Sequence, residues 1–182
     1  MFKDLSISRT KLSLSLLAGA IIALTTFSGS ASASKPAFGN IQKPGSETIV
    51  QIVLKDDGEF DVLQAAVIKA GLVDALNGTT QYTVFAPTDA AFIKLLKASS
   101  EADAISKVNS LDNAFLTDLL LFHVTEGRLG VLSVLTKPSY PMLNGDKLTR
   151  FQVLKAGLIK VNINASNGVV HVVKNVLIPP TN

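Results

Sequence analysis

Two histidines, His123 and His171, are the side chains of this 182-residue chain best suited to move protons near neutral pH. Acyl-transfer chemistry would pair one of them with a carboxylate such as Asp89 and with a serine. The chain contains no Gly-x-Ser-x-Gly elbow, and no His-x-x-x-His spacing suggests a metal. It has no cysteine, which removes thiol catalysis, Cys–zinc sites and cysteine-ligated iron–sulfur clusters. The surroundings of the remaining groups are structural in kind. His171 lies inside a β-branched run, Val169 to Val173, and His123 ends an apolar stretch. Imidazoles in such places normally bond to backbone groups. Asp89 follows Thr88 at a predicted helix start, where a carboxylate satisfies amides and suits the helix dipole better than it serves as a general base. No catalytic, metal or cofactor site is expected.

The elements that position these residues can be read from periodicity. Thr48 to Leu54 reads as a short first helix. Phe60, Leu63, Val67 and Ala70 recur at helical spacing, with Gly71 as the stop, and Leu72 to Leu76 forms another short helix closed by Asn77-Gly78. Tyr82 to Ala86 is a strand that Pro87 ends, and Thr88 is placed to cap the helix that follows. Ser110 is placed to cap a helix whose stripe is Leu111, Phe115, Leu119 and Phe122, widened by Leu116 and Leu120. Leu129 to Leu135 adds a helical turn or two. Beyond Pro138 and Pro141, the pairs Asn144-Gly145, Ala156-Gly157 and Asn167-Gly168 separate short runs of Val, Ile and Leu that read as antiparallel strands. Helices in the first half and strands in the second predict an α+β fold.

Two segments resemble the two sequence motifs of the fasciclin domain, an extracellular adhesion and interaction module. Thr83-Val84-Phe85-Ala86-Pro87-Thr88-Asp89-Ala90-Ala91-Phe92 matches the first motif without a gap, and the run from Asn167 to Pro180 matches the second motif and the domain's end. Leu121-Phe122-His123-Val124 stands where the family carries a Tyr-His pair, with Phe122 in place of the tyrosine. Ala70 to Val73 and Leu76 to Gly78 are also family-like. Lys174 occupies a position where many members have Asp, and the stretch from Thr149 to Ile163 is shorter than usual. The resemblance implies a β-sandwich or wedge of mostly antiparallel strands, decorated by several helices from the N-terminal half. It makes the two motifs neighbouring central strands. It also implies structural roles for Thr83, Phe85, Pro87, Thr88, Asp89, Phe92, Asn167, Gly168 and His171. Phe122 and His123 become the candidate partner contact, because that neighbourhood is associated with adhesion in some members.

The N-terminus is laid out as a secretory signal. Lys3, Arg9 and Lys11 precede an apolar stretch from Leu12 to Phe27, and Ala31-Ser32-Ala33 fits a cleavage site. Residues 1–33 are therefore expected to be a removed signal peptide, 34–46 a Pro- and Gly-containing linker, and 47–182 the folded domain. The apolar stretch is short against the ~20 residues a membrane span requires. Removing Lys3, Arg9, Lys11 and Asp4 from the 17 basic and 14 acidic residues lowers the formal net charge from +3 to +1. No basic run interleaved with aromatics remains, so nucleic acid is excluded as a partner. Without disulfides an exported domain relies on its core, and 47% hydrophobic residues supply one.

The reading that follows is an exported, non-enzymatic module, periplasmic, cell-surface or extracellular. Its partner would be an extracellular or cell-surface protein or a matrix component. A second reading is a carrier of an apolar small molecule such as a lipid or carotenoid, supported by a mean hydropathy of +0.37. A small hydrolase is the third and would require His123. Asn77-Gly78-Thr79 and Asn164-Ala165-Ser166 match the N-glycosylation pattern near turns.

Overall fold

In the computed structural model, residues 44–55 and 58–180 are described. The predicted signal peptide and most of the predicted linker lie outside them. Thr48 opens α1 (Ile49–Val53) with a capping box: its hydroxyl accepts from the Gln51 amide, and the Gln51 side chain accepts from the Thr48 amide. Helix α2 (Asp61–Lys69) buries Val62, Leu63, Ala66 and Val67, and stops where Gly71 takes φ +68°. After α3 (Val73–Leu76) the chain enters β1 (Tyr82–Pro87), which turns at Thr88 into α4 (Asp89–Leu96).

Helix α5 (Glu101–Ser110) has a polar sequence and no counterpart in the sequence reading. Its C-terminal carbonyls are held by a distant cation: Lys69 Nζ donates to the carbonyls of Val108, Asn109 and Leu111. Ser110 ends this helix rather than capping the next one. Asp112 caps α6 (Asn113–Leu121), accepting from the Phe115 amide at 3.0 Å. With the start moved, the buried face is Leu116, Leu119 and Leu120, and Phe115 lies 53% exposed.

The second half is less purely β than expected. It comprises β2 (Val124–Glu126), α7 (Val131–Thr136), β3 (Ser139–Pro141), β4 (Lys147–Thr149), α8 (Arg150–Ala156), β5 (Leu158–Ala165) and β6 (Gly168–Val173). The segment before Ala156-Gly157 is thus a helix, not a strand. Thr149 and Gln152 form a capping box there, which overrides the apolar run.

The four-stranded sheet has the order β2-β1-β6-β5, and β3–β4 forms a separate antiparallel hairpin. The two motif strands, β1 and β6, lie side by side at its centre and run parallel, with Phe85 opposite His171. The β1–β2 and β5–β6 pairs are antiparallel. Both faces are covered, so both central strands are almost wholly buried. Val84, Ala86, Val170 and Val172 pack under residues of α1, α2, α4, α5 and α6. Phe85 and Val173 pack with Val134 of α7, Tyr140, Leu148 and Val153 of α8. Strand alternation thus divides the core into a large helical layer and a small layer around the hairpin. The hairpin is fastened to the sheet by Thr125, whose hydroxyl donates to the Pro141 carbonyl at 2.7 Å.

Candidate functional site

His171 is buried in the centre of β6 and stacks on Phe85 with ring centroids 5.8 Å apart. Its Nε2 lies 2.9 Å from the Leu129 carbonyl, and Nδ1 accepts from the Asn162 amide at 3.2 Å. That pairing fixes a neutral tautomer with the proton on Nε2. Burial pushes its pKa down, partly offset by the bond to Leu129. Thr83, two residues before Phe85 on β1, holds the same loop: its hydroxyl donates to Gly127 O and accepts from Leu129 N.

His123 follows α6 and is also buried. Its Nδ1 lies 2.8 Å from the Leu119 carbonyl, and Nε2 accepts from the Leu177 amide at 2.9 Å. One neutral imidazole therefore joins the end of α6 to the C-terminal segment. Burial lowers its pKa to about 4 despite the bond to Leu119. Phe122 beside it is fully buried in the small layer. The pair named as a candidate partner contact presents neither ring at the surface.

Asp89 is 7% exposed and acts across elements. Its carboxylate accepts from the amides of Val62 at 2.8 Å and Asp61 at 3.2 Å, so from the first turn of its own helix it also holds the start of α2. Thr88 occupies the cap position of α4 with no side-chain cap bond. Asp61 and Glu101 bring oxygens to within 4.8 Å of Asp89. The Glu101 carboxyl is held above its ordinary range by burial first, then by the charges of Asp89 and Asp61. These three carboxylates are the described group that could approach a cation, but the Asp89 oxygens are already engaged by amides.

Asn167 does more than make a turn. The two turn residues are Ser166 and Asn167, between Ala165 and Gly168. The buried Asn167 carboxamide accepts from Ile49 N at 2.9 Å and donates to Leu76 O at 2.8 Å and Gly78 O at 2.9 Å. It ties α1 and α3 to the sheet. Gly168 is required by contact: a Cβ there would lie 2.0 Å from the Tyr82 carbonyl oxygen and 2.7 Å from Ile49 Cδ1. No sequence signal separated these roles from an ordinary Asn-Gly turn.

The surface feature the sequence did not disclose is an apolar groove of about 280 Å³ between α4, α6 and the C-terminal segment. Phe92, Leu95, Leu96, Leu111, Leu119 and the exposed Phe115 and Ile178 line it. Of the two sequon asparagines, Asn77 is exposed, while Asn164 is half-buried and accepts from Arg128 Nη2 at 3.2 Å.

The fasciclin domain family model matches residues 58–179, two thirds of the chain. The chain belongs to the fasciclin domain family. Among curated relatives of this fasciclin chain is Protein sll1483 of Synechocystis, 34% identical over 73% of this chain and 74% of its own length. Immunogenic protein MPB70 of Mycobacterium bovis is 32% identical over 74% of this chain and 71% of its length. Transforming growth factor-beta-induced protein ig-h3 of Sus scrofa is 36% identical over 73% of this chain, which spans only 20% of that longer protein. A solved FAS1 domain pair from the insect cell adhesion molecule Fasciclin I shares the fold, with a TM-score of 0.52 and 16% identity over 74% of this chain and 51% of that one. In this fasciclin domain both motifs act as core strands and clamps.

Proposed function

We propose that this fasciclin domain is an exported, non-enzymatic interaction module that attaches to a cell-surface or matrix protein outside the cytoplasm. One observation carries the reading: both ring nitrogens of His123 and His171 face backbone groups, and Asp89 accepts from two amides. The side chains that could have moved protons are committed to holding the fold. Kinship with a domain of a cell adhesion molecule supports the same reading. The test is adhesion of the parent and of His123→Ala, alongside their melting temperatures. Losing the buried imidazole should cost about 1–3 kcal/mol, with adhesion lost only in proportion to unfolding. A variant that melts like the parent but no longer adheres would make His123 a contact residue. A hydrolytic activity abolished by the substitution would overturn the non-enzymatic reading.

The groove between α4 and α6 favours a second reading, carriage of an apolar small molecule. Its lining is aliphatic and aromatic, and its volume of about 280 Å³ is near the lower end for small-molecule sites. Solvent extraction of the protein purified from the cells that export it, followed by mass spectrometry, decides between them. A stoichiometric lipid or pigment supports the carrier; a co-purifying protein with no small molecule supports the adhesion module.

A further inference from the structure

The two layers carry opposite charge. Residues 44–126, which supply α1 to α6, hold twelve Asp and Glu against five Lys; α7, the β3–β4 hairpin and α8, residues 131–156, hold Lys137, Lys147, Arg150 and Lys155 against Asp146 alone. The basic layer also exposes large apolar side chains. Leu132 on α7 is 72% exposed, and Phe151 and Leu154 on α8 are 68% and 57% exposed. Phe151 and Leu154 stand three residues apart on one helical face, and α7 packs against α8. Cations flank the two on α8. The Arg150 guanidinium lies 5.0 Å from the centre of the Phe151 ring, Lys155 is one turn further on, and the Arg150 amide donates to Pro138 O, bringing the exposed Lys137 to the start of α8. Lys137, Arg150 and Lys155 take part in none of the described ion pairs.

We infer that the α7–α8 face docks on an anionic lipid surface, with Leu132, Phe151 and Leu154 entering the headgroup boundary and Lys137, Arg150 and Lys155 meeting lipid phosphates. Protruding aliphatic and aromatic side chains flanked by Lys and Arg are what an interface of this kind selects, because apolar burial and phosphate attraction add. Among the described residues no helix is long and apolar enough to cross a membrane, and the contact inferred here is made by the α7–α8 surface. The acidic helical layer is repelled by the same surface, and the groove between α4 and α6 belongs to that layer. The charge separation therefore sets one orientation, with α1 to α6 turned toward the medium.

The full-length protein should be sedimented with vesicles of phosphatidylcholine alone and with vesicles containing about one-third phosphatidylglycerol. Comparing variants in the same full-length chain makes any contribution of residues 1–43 common to all. The parent should partition about tenfold or more in favour of the anionic vesicles, and high salt should release it. Phe151→Ser with Leu154→Ser, and separately Lys137→Glu with Lys155→Glu, should each reduce that partition about tenfold. Phe115→Ser and Lys97→Glu, on the acidic layer, should leave it unchanged. These side chains are exposed or half-exposed, and melting temperatures verify that every variant is folded. Equal binding to both vesicle types, or patch variants that bind like the parent, would overturn the inference. So would losses of equal size in the acidic-layer controls, or retention of the parent only by a soluble acidic protein.

Discussion

The two faces of the central sheet are held by different chemistry. On the helical side, Asn167 and Asp89 fasten α1, α2 and α3 through groups bonded to backbone. On the side of the hairpin, two imidazoles work beside the hydroxyls of Thr83 and Thr125: His171 and Thr83 hold the loop before α7, Thr125 holds the hairpin, and His123 holds Leu177, whose side chain belongs to the small layer. The Asn167 amide does not titrate, whereas an imidazole holds its bonds only while neutral. One sheet thus carries a layer whose Asn167 clamp is indifferent to pH and a layer whose attachment weakens in acid. Strand alternation produces this contrast directly, since Val170 and Val172 face one layer while His171 and Val173 face the other side.

The strongest test of that division is Phe85→Ala. Phe85 is fully buried, fills the small layer and stacks on His171. Truncation should cost about 3–5 kcal/mol, a large share of a typical domain stability, measured as a shift of the urea midpoint at constant slope. A loss below about 1 kcal/mol would mean that the small layer contributes little to folding.

Acid should act next most strongly, and through the histidines. The folded-state pKa of His123 is depressed to about 4, from 6.5, so the folded chain prefers the neutral ring. Below pH 6.5 the unfolded chain takes up a proton that the folded chain refuses. Stability should therefore be fully present above pH 6.5, fall as pH drops toward 4, and stop falling on this account below that. A shift of this size corresponds to about 3 kcal/mol. His171 shifts in the same direction and adds to the loss. Urea unfolding of the parent and His123→Gln between these pH values checks it: the variant should show a flatter dependence.

Asn167→Ala breaks the other layer's clamp. It leaves the Ile49 amide and the Leu76 and Gly78 carbonyls short of a partner, at about 2–3 kcal/mol. The cost should be the same at pH 5 and pH 7, in contrast to the histidine variants, and native-state hydrogen exchange should rise first in α1. Uniform exchange across both layers would show that the two are not separately fastened.

The smallest effect belongs to the groove. Phe115→Ser alters a side chain that is more than half exposed, and should change stability by less than about 0.5 kcal/mol. Its use is to separate surface function from folding: adhesion or ligand extraction that changes with an unaltered melting temperature assigns the groove a role.

The sequence by itself determined the family, the α+β class, the proline-stopped strand from Tyr82 and the Asn-Gly-led strand at the end, because strand propensity, prolines and turn residues act over a few neighbouring positions. It determined less where local signals competed. Ser110 and Asp112 are both good caps, and only packing of α5 against α2 decided that α6 starts at Asn113. Phe151 to Leu154 has the apolar content of a strand, and the Thr149–Gln152 capping box made it a helix. The roles of the key side chains were decided wholly by tertiary structure. Asp89 caps a helix that begins 28 residues earlier, Asn167 reaches Ile49 across 118 residues, and His123 reaches Leu177 across 54. A hydrogen bond between residues so far apart leaves no mark on the spacing of either. The opposite charges of the two layers were present in the sequence as a simple count, but only the sheet, by placing α1 to α6 on one face and α7, α8 and the hairpin on the other, turned that count into two surfaces.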